Sequence, residues 1–177
     1  MMLTMTLVMV VAGAGDVTVE APPTVEPVRF HGELSFLAAG GVASVPALGA
    51  GAGLHAEAGV VLGGSHVLSA RASFATAVVL FAMQFGASFA ERLGDHATLG
   101  AGLSWGGLFG IGDIAGAATV QVPVRLTWCF GGVARRGLTL GAELAPGLVY
   151  AGGGYMLRPT LPGVSVMAML TVGYAVW

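Results

Sequence analysis

Charged side chains in this chain sit on one face of segments that otherwise alternate between apolar and small residues. In "GAGLHAEAGV" (51–60), Leu54, Ala56, Ala58 and Val60 share one parity, while Gly53, His55, Glu57 and Gly59 share the other. Successive side chains of a strand point to opposite faces, so a period of two means a two-faced strand. A water-soluble core would exclude these charges, and a membrane-spanning helix would carry them at high cost. A strand with lipid on one face and a narrow polar interior on the other accommodates both.

The period recurs in eight segments from Val28 onward. Val28, Phe30, Leu34, Phe36 and Ala38 oppose Arg29, His31, Glu33 and Ser35, and Leu68, Ala70, Ala72 and Phe74 oppose Ser69, Arg71 and Ser73. Phe81, Met83, Phe85 and Phe89 oppose Gln84, Gly86, Ser88 and Arg92, and Leu99, Leu103 and Trp105 oppose Thr98, Gly100 and Ser104. Val122, Val124, Leu126 and Trp128 oppose Gln121, Pro123, Arg125 and Thr127. Leu138, Leu140 and Leu144 oppose Thr139, Gly141 and Glu143, and Val166, Leu170, Val172 and Tyr174 oppose Ser165, Met169 and Thr171. Each segment suits the roughly 9–11 tilted residues that cross a bilayer. A lipid-exposed sheet must close, because edge groups find no partner in hydrocarbon. The predicted fold is all-β: an eight-stranded antiparallel up-and-down transmembrane β-barrel over residues 28–177.

The turns agree. Short connections are expected at "GGSH" (63–66), "LGDH" (93–96) and "GGVARR" (131–136), on the periplasmic side. Longer outward loops are expected at 106–117 and roughly 150–163, and a short one around Pro46. "TAVVLFA" (76–82) has no turn residue, yet the polar parity switches from odd to even across it, which places a tight connection there. Aromatic girdles are expected at Phe30, Phe89, Trp128, Phe130 and Tyr174 near one end, and at Phe36, Phe74, Phe81, Trp105 and Tyr150 near the other.

The inward parity defines a polar network: Arg29, His31, Glu33, His55, Glu57, Arg71, Gln84, Arg92, Gln121, Arg125 and Glu143. Centring one hairpin on Gly64 sets Glu57 opposite Arg71, and centring another on Ala134 sets Arg125 opposite Glu143. Two Arg/Glu pairs are therefore expected to fill and fix the interior, and each offsets part of its partner's desolvation. The inward glycines leave a narrow pore as the alternative.

Composition narrows the partners. With charged residues at 9%, a net charge of −2 and only Arg135 and Arg136 adjacent, no basic stripe for nucleic acid exists. One cysteine, Cys129, excludes an internal disulfide and a multi-cysteine zinc site. The apolar run 3–11 followed by Ala12, Gly13 and Ala14 reads as an export signal cleaved after Ala14, although no Lys or Arg precedes it. Residues 15–27, with three prolines and three acids, read as a periplasmic linker.

No catalytic residue, metal or cofactor is expected. His31, His55, Glu33 and Glu57 imitate metal ligands without a corroborating spacing, and His55 and Glu57 share a face with no serine of distinctive context. Gly-x-Gly in "GLFGIGDIAG" lacks a βαβ setting. An envelope lipid-modifying enzyme therefore trails the structural and pore readings. A helical inner-membrane protein is a rival, since 72–90 is a charge-free run of 19 residues. Thirty glycines and the interruptions at Pro46, Pro123 and Pro146 weigh against it.

On alternation, strand count, loop asymmetry and the closing "VSVMAMLTVGYAVW", the chain resembles the small eight-stranded outer-membrane barrels, the superfamily of the OmpA membrane domain and OmpX. The resemblance spans 28–177 and implies a bacterial outer-membrane location. The implied partners are outer-membrane lipid and the insertion machinery, with the barrel a monomer. Members are variously structural, adhesive, weakly pore-forming or lipid-modifying, and the reading favoured here is structural or accessory. Two departures stand out: Trp177 replaces the usual terminal Phe, out of phase with Tyr174 and Val176, and long polar external loops are absent.

Overall fold

A computed structural model describes residues 28–43, 48–77, 80–110, 116–133, 136–153 and 163–177. The expected export signal (1–14) and linker (15–27) lie outside the described residues, as do Pro46 and Asp113. The described chain forms strands only: β1 (Arg29–Ala43), β2 (Leu48–Leu62), β3 (His66–Ala77), β4 (Leu80–Leu93), β5 (Ala97–Gly110), β6 (Gly116–Gln121), β7 (Val124–Cys129), β8 (Gly137–Gly153) and β9 (Gly163–Val176). Successive strands pair antiparallel, apart from β6 with β7, and β1 pairs β9 from Gly32↔Val176 to Ala43↔Ser165. The sheet therefore closes. β6 and β7 both lie between β5 and β8 and are halves of one strand, so the barrel has eight strand positions.

The interruption falls at Val122 and Pro123. Proline has no N–H to donate, so a ladder cannot run through it intact. Val122 still donates to the Pro146 carbonyl at 2.8 Å, and Gly102 to the Pro123 carbonyl at 2.9 Å. A bulge between Ala118 and Thr119 adds Tyr150 on β8 as the extra residue.

The alternation decides which side chains meet lipid. Phe30, Phe36, Leu54, Trp105, Leu126, Trp128, Leu144 and Leu170 are exposed on the outer wall, with Phe36 at 76%. Their inward neighbours Ser35, His55, Ser104, Thr127 and Thr139 are buried. This inversion of the soluble pattern is what a bilayer-facing barrel requires. At the loop end Phe74, Phe81 and Phe109 form successive ring contacts at 6.4 and 5.3 Å. At the turn end His66 stacks on Phe89 and His96 on Trp128.

Turns occupy 63–65 and 94–96, with Gly63, Gly64, Gly94 and Gly132 at positive φ, where an L side chain would be strained. The parity switch after β3 is also found: Ala77 pairs with Leu80, leaving only residues 78–79 between the strands, outside the described residues. The long outward loops need correction. β5 runs to Gly110 and pairs with β6 from Gly116, so much of 106–117 is strand. β8 likewise extends to Gly153. Glycine reads as loop in sequence, but Gly106 lies against Met83 and Gln84 backbone, where a Cβ would collide. The helical alternative fails on the same ground: 72–90 is the end of β3 and most of β4. Among the described residues no helix is long and apolar enough to cross a membrane.

Candidate functional site: the polar interior

The hairpin centring places the four charged positions in the expected register: Glu57 pairs with Arg71 across β2 and β3, and Arg125 with Glu143 across β7 and β8. The ion pairs themselves do not follow the register. Arg71 Nη2 donates to both oxygens of Glu143, at 2.7 and 2.6 Å, across the lumen from β3 to β8. Arg125 Nη2 donates to Glu33 at 2.5 Å, and its Nη1 to Glu57 at 3.2 Å. The partners are thus exchanged relative to the sequence expectation. A long guanidinium in a tube this narrow reaches the far wall as readily as the neighbouring strand. Eight strands about 4.8 Å apart and tilted about 40° enclose a ring only about 16 Å across.

Glu33 carries the reason for the exchange. It lies directly opposite Glu57 on β1 and β2. Like charges opposite one another destabilise a strand pair unless a cation intervenes. Arg125 supplies that cation, bonded to both carboxylates. Its remaining donors are also used: Nε to Thr127 Oγ1 at 3.1 Å and Nη2 to Thr171 Oγ1 at 3.0 Å. Glu33 accepts further from Ser35 at 2.5 Å and Thr139 at 3.3 Å. Ser69 donates to Glu57 and meets Ser88 at 2.8 Å. Gly141 makes room for the guanidinium: a Cβ there would lie 3.0 Å from Arg125 Nη2 and press on Thr171 Oγ1.

His55, fully buried, faces Ser73 across β2 and β3, with Nδ1 2.8 Å from Ser73 Oγ and Nε2 3.1 Å from Glu57 Oε1. The sequence reading missed this serine. The centring on Gly64 that pairs 57 with 71 also pairs 55 with 73. Arg125 Nη1 donates to His55 Nε2. Nε2 thus lies between the Arg125 guanidinium and the Glu57 carboxylate, while Nδ1 faces the Ser73 hydroxyl. His31, Glu33, His55 and Glu57 do not converge on a metal position, and Arg125 stands among the last three as the cation.

Above this layer Gln84 donates to Gln121, which reaches Ser165 at 3.5 Å. Gln84 Oε1 and Ser104 Oγ have no partner among the described residues. Below it the rings of His31 and Trp177 meet in a tilted contact with centroids 4.1 Å apart. Trp177 is thus on the inward parity, which accounts for its being out of phase with Tyr174 and Val176. Two expected network members lie elsewhere. Arg29 is exposed at the turn end, and Arg92 is tied to the Gly94 carbonyl and to Asp95 at 2.9 Å. Both have the inward parity but sit past the last buried layer, where the strands leave the barrel.

The space left inside the charged layer is small. Among the described residues a cavity of about 30 Å³ is lined by Glu33, Glu57, Arg71, Arg125 and Trp177, among others. It holds two or so waters at about 10–15 Å³ each.

No family model matches the chain, and no curated protein matches it. Among solved structures it is similar to the crystal structure of Neisserial surface protein A, with a TM-score of 0.57 and 14% sequence identity, over 85% of this chain and 99% of that one. That protein is an eight-stranded outer-membrane β-barrel, and the likeness shows this fold for the present chain.

Proposed function

We propose that this chain is a structural or accessory outer-membrane barrel whose interior is held shut by its own side chains. One observation carries the reading: Arg71, Arg125, Glu33, Glu57 and Glu143 bridge the lumen and leave a cavity of about 30 Å³. No hydrated ion passes such a gap unless the bridges break. The barrel acts as a monomer with outer-membrane lipid on its wall. The closed sheet has no edge to share, and the wall is apolar around its circumference.

A non-enzymatic role is supported by His55. Its ring is fully buried among Ser73, Glu57 and Arg125 in the barrel interior, whereas a lipid hydrolase needs its nucleophile and base at a lipid-accessible face. Recording in planar lipid bilayers tests the proposal. The wild-type protein is expected to give no resolved current steps. Steady steps from folded wild-type protein would overturn the sealed reading in favour of a narrow pore.

A further inference from the structure

Below the His31–Trp177 ring contact the turn end opens into a second chamber of about 380 Å³. Trp177 and Val67 line both this chamber and the inner cavity, so Trp177 stands between the two. Val61, Val67 and Val133 form apolar wall, and Arg29 and Arg92 bring two guanidiniums from β1 and β4. Among the described residues no carboxylate side chain lines the chamber. Asp95 sits outside, on Arg92. The volume falls in the range of about 300–1,000 Å³ typical of binding sites, with apolar walls and a few convergent polar groups.

The chain enters β1 at this same end, because Arg29 both opens the strand and lines the chamber. Residues 16–27 immediately precede it and carry Asp16, Glu20 and Glu26 with no basic residue. We propose that this acidic segment is the occupant of the chamber, lying over Trp177 with its carboxylates toward Arg29 and Arg92. Reach is not limiting: twelve residues extend to about 40 Å, more than twice the roughly 16 Å width of the ring. Tethering makes the contact intramolecular, so modest attraction suffices. Pro22, Pro23 and Pro27 restrict the free chain and lower the entropy lost on docking. The proposal does not depend on the interior being sealed, and bilayer conductance tests that separately.

Trp177 is the reporter. The chain has three tryptophans, and Trp105 and Trp128 face outward. The full chain carrying W105F and W128F therefore reports the chamber floor through its fluorescence. Acrylamide quenching is measured for this protein, for D16N/E20Q/E26Q in the same background, and for D16K/E20K/E26K with and without R29E. The neutralised variant changes nothing in the barrel, so its folding is not in question. Quenching is expected to rise severalfold on neutralisation and in the Lys variant, and to fall back when R29E restores opposite charge. High salt should raise it in the parent, because screening weakens exposed charge pairs. Equal quenching in all four proteins would overturn the proposal. Inorganic phosphate that lowers quenching in the parent as much as in the neutralised variant would also overturn it, because a chamber already filled by the segment leaves no place for a small anion.

Discussion

Arg71 and Glu143 stand on diametrically opposed strands of the barrel, β3 and β8, and are joined by two hydrogen bonds of 2.7 and 2.6 Å through its centre. Both are almost fully buried, with side-chain exposures of 2% and 1%. Register neighbours are therefore not energetic neighbours here.

A double-mutant cycle checks this. Arg71→Ala strands the Glu143 carboxylate and is expected to cost about 3–5 kcal/mol, with much of the loss recovered when Glu143→Ala is added. Arg125→Ala is expected to couple to Glu33→Ala and Glu57→Ala, and to show little coupling with Glu143→Ala although 125 and 143 pair in the ladder. Urea unfolding of protein refolded in detergent or lipid gives the coupling energies. Strong coupling of 125 to 143 would return the pairing to the hairpins.

Gly141 tests the packing of the same layer. Its missing Cβ would contact Arg125 and Thr171. Gly141→Ala is expected to destabilise by about 1–3 kcal/mol, the usual range for overpacking a filled site. Combining it with Thr171→Ser, which keeps Oγ1, should recover little, since the hydroxyl and the guanidinium are the atoms in the way. Unfolding midpoints measure both.

Ser73 separates a structural from a catalytic reading of the His55 site. Ser73→Ala removes the hydroxyl that meets His55 Nδ1 and leaves a buried ring nitrogen without that partner, at a cost of about 1–3 kcal/mol. Hydrolysis of short-chain and long-chain esters by the wild type is expected to match that of the empty detergent. Serine-dependent turnover lost in Ser73→Ala would instead make this an active site.

Most of the architecture was legible because two-faced strands leave a period of two in the sequence. The registers of β2 with β3 and of β7 with β8 are also those that the residue numbers give, so numbers converted directly into opposing pairs. Legibility failed where glycine replaced side chains. Gly106 and Gly107 read as loop, although both are strand residues held close to neighbouring backbone. It failed again across the lumen. Register orders residues along the wall, whereas Arg125 reaching Glu33 depends on barrel width and on space beside Gly141. Arg29 and Arg92 show the remaining limit: parity gives the face a residue points to, not whether the barrel still encloses it there.

Pro146 offers a last test, on the ladder itself. Val122 and Pro146 form a pair in which Val122 N–H donates to the Pro146 carbonyl at 2.8 Å. The reciprocal bond is missing because Pro146 has no N–H, so the Val122 carbonyl loses its ladder donor on an outward-facing residue. Pro146→Val restores that donor at an exposed wall position where a β-branched side chain is at home. The new bond is worth about 0.5–1.5 kcal/mol. Losing proline's restraint on the unfolded chain costs about 0.4–1 kcal/mol. In hydrocarbon an unpaired carbonyl is costlier than in water, which tips the balance toward the bond. The unfolding midpoint in lipid is expected to rise, and slow hydrogen exchange should appear at the new amide of residue 146. A lower midpoint with a fast-exchanging amide would mean that the β7–β8 seam is held by something other than its ladder.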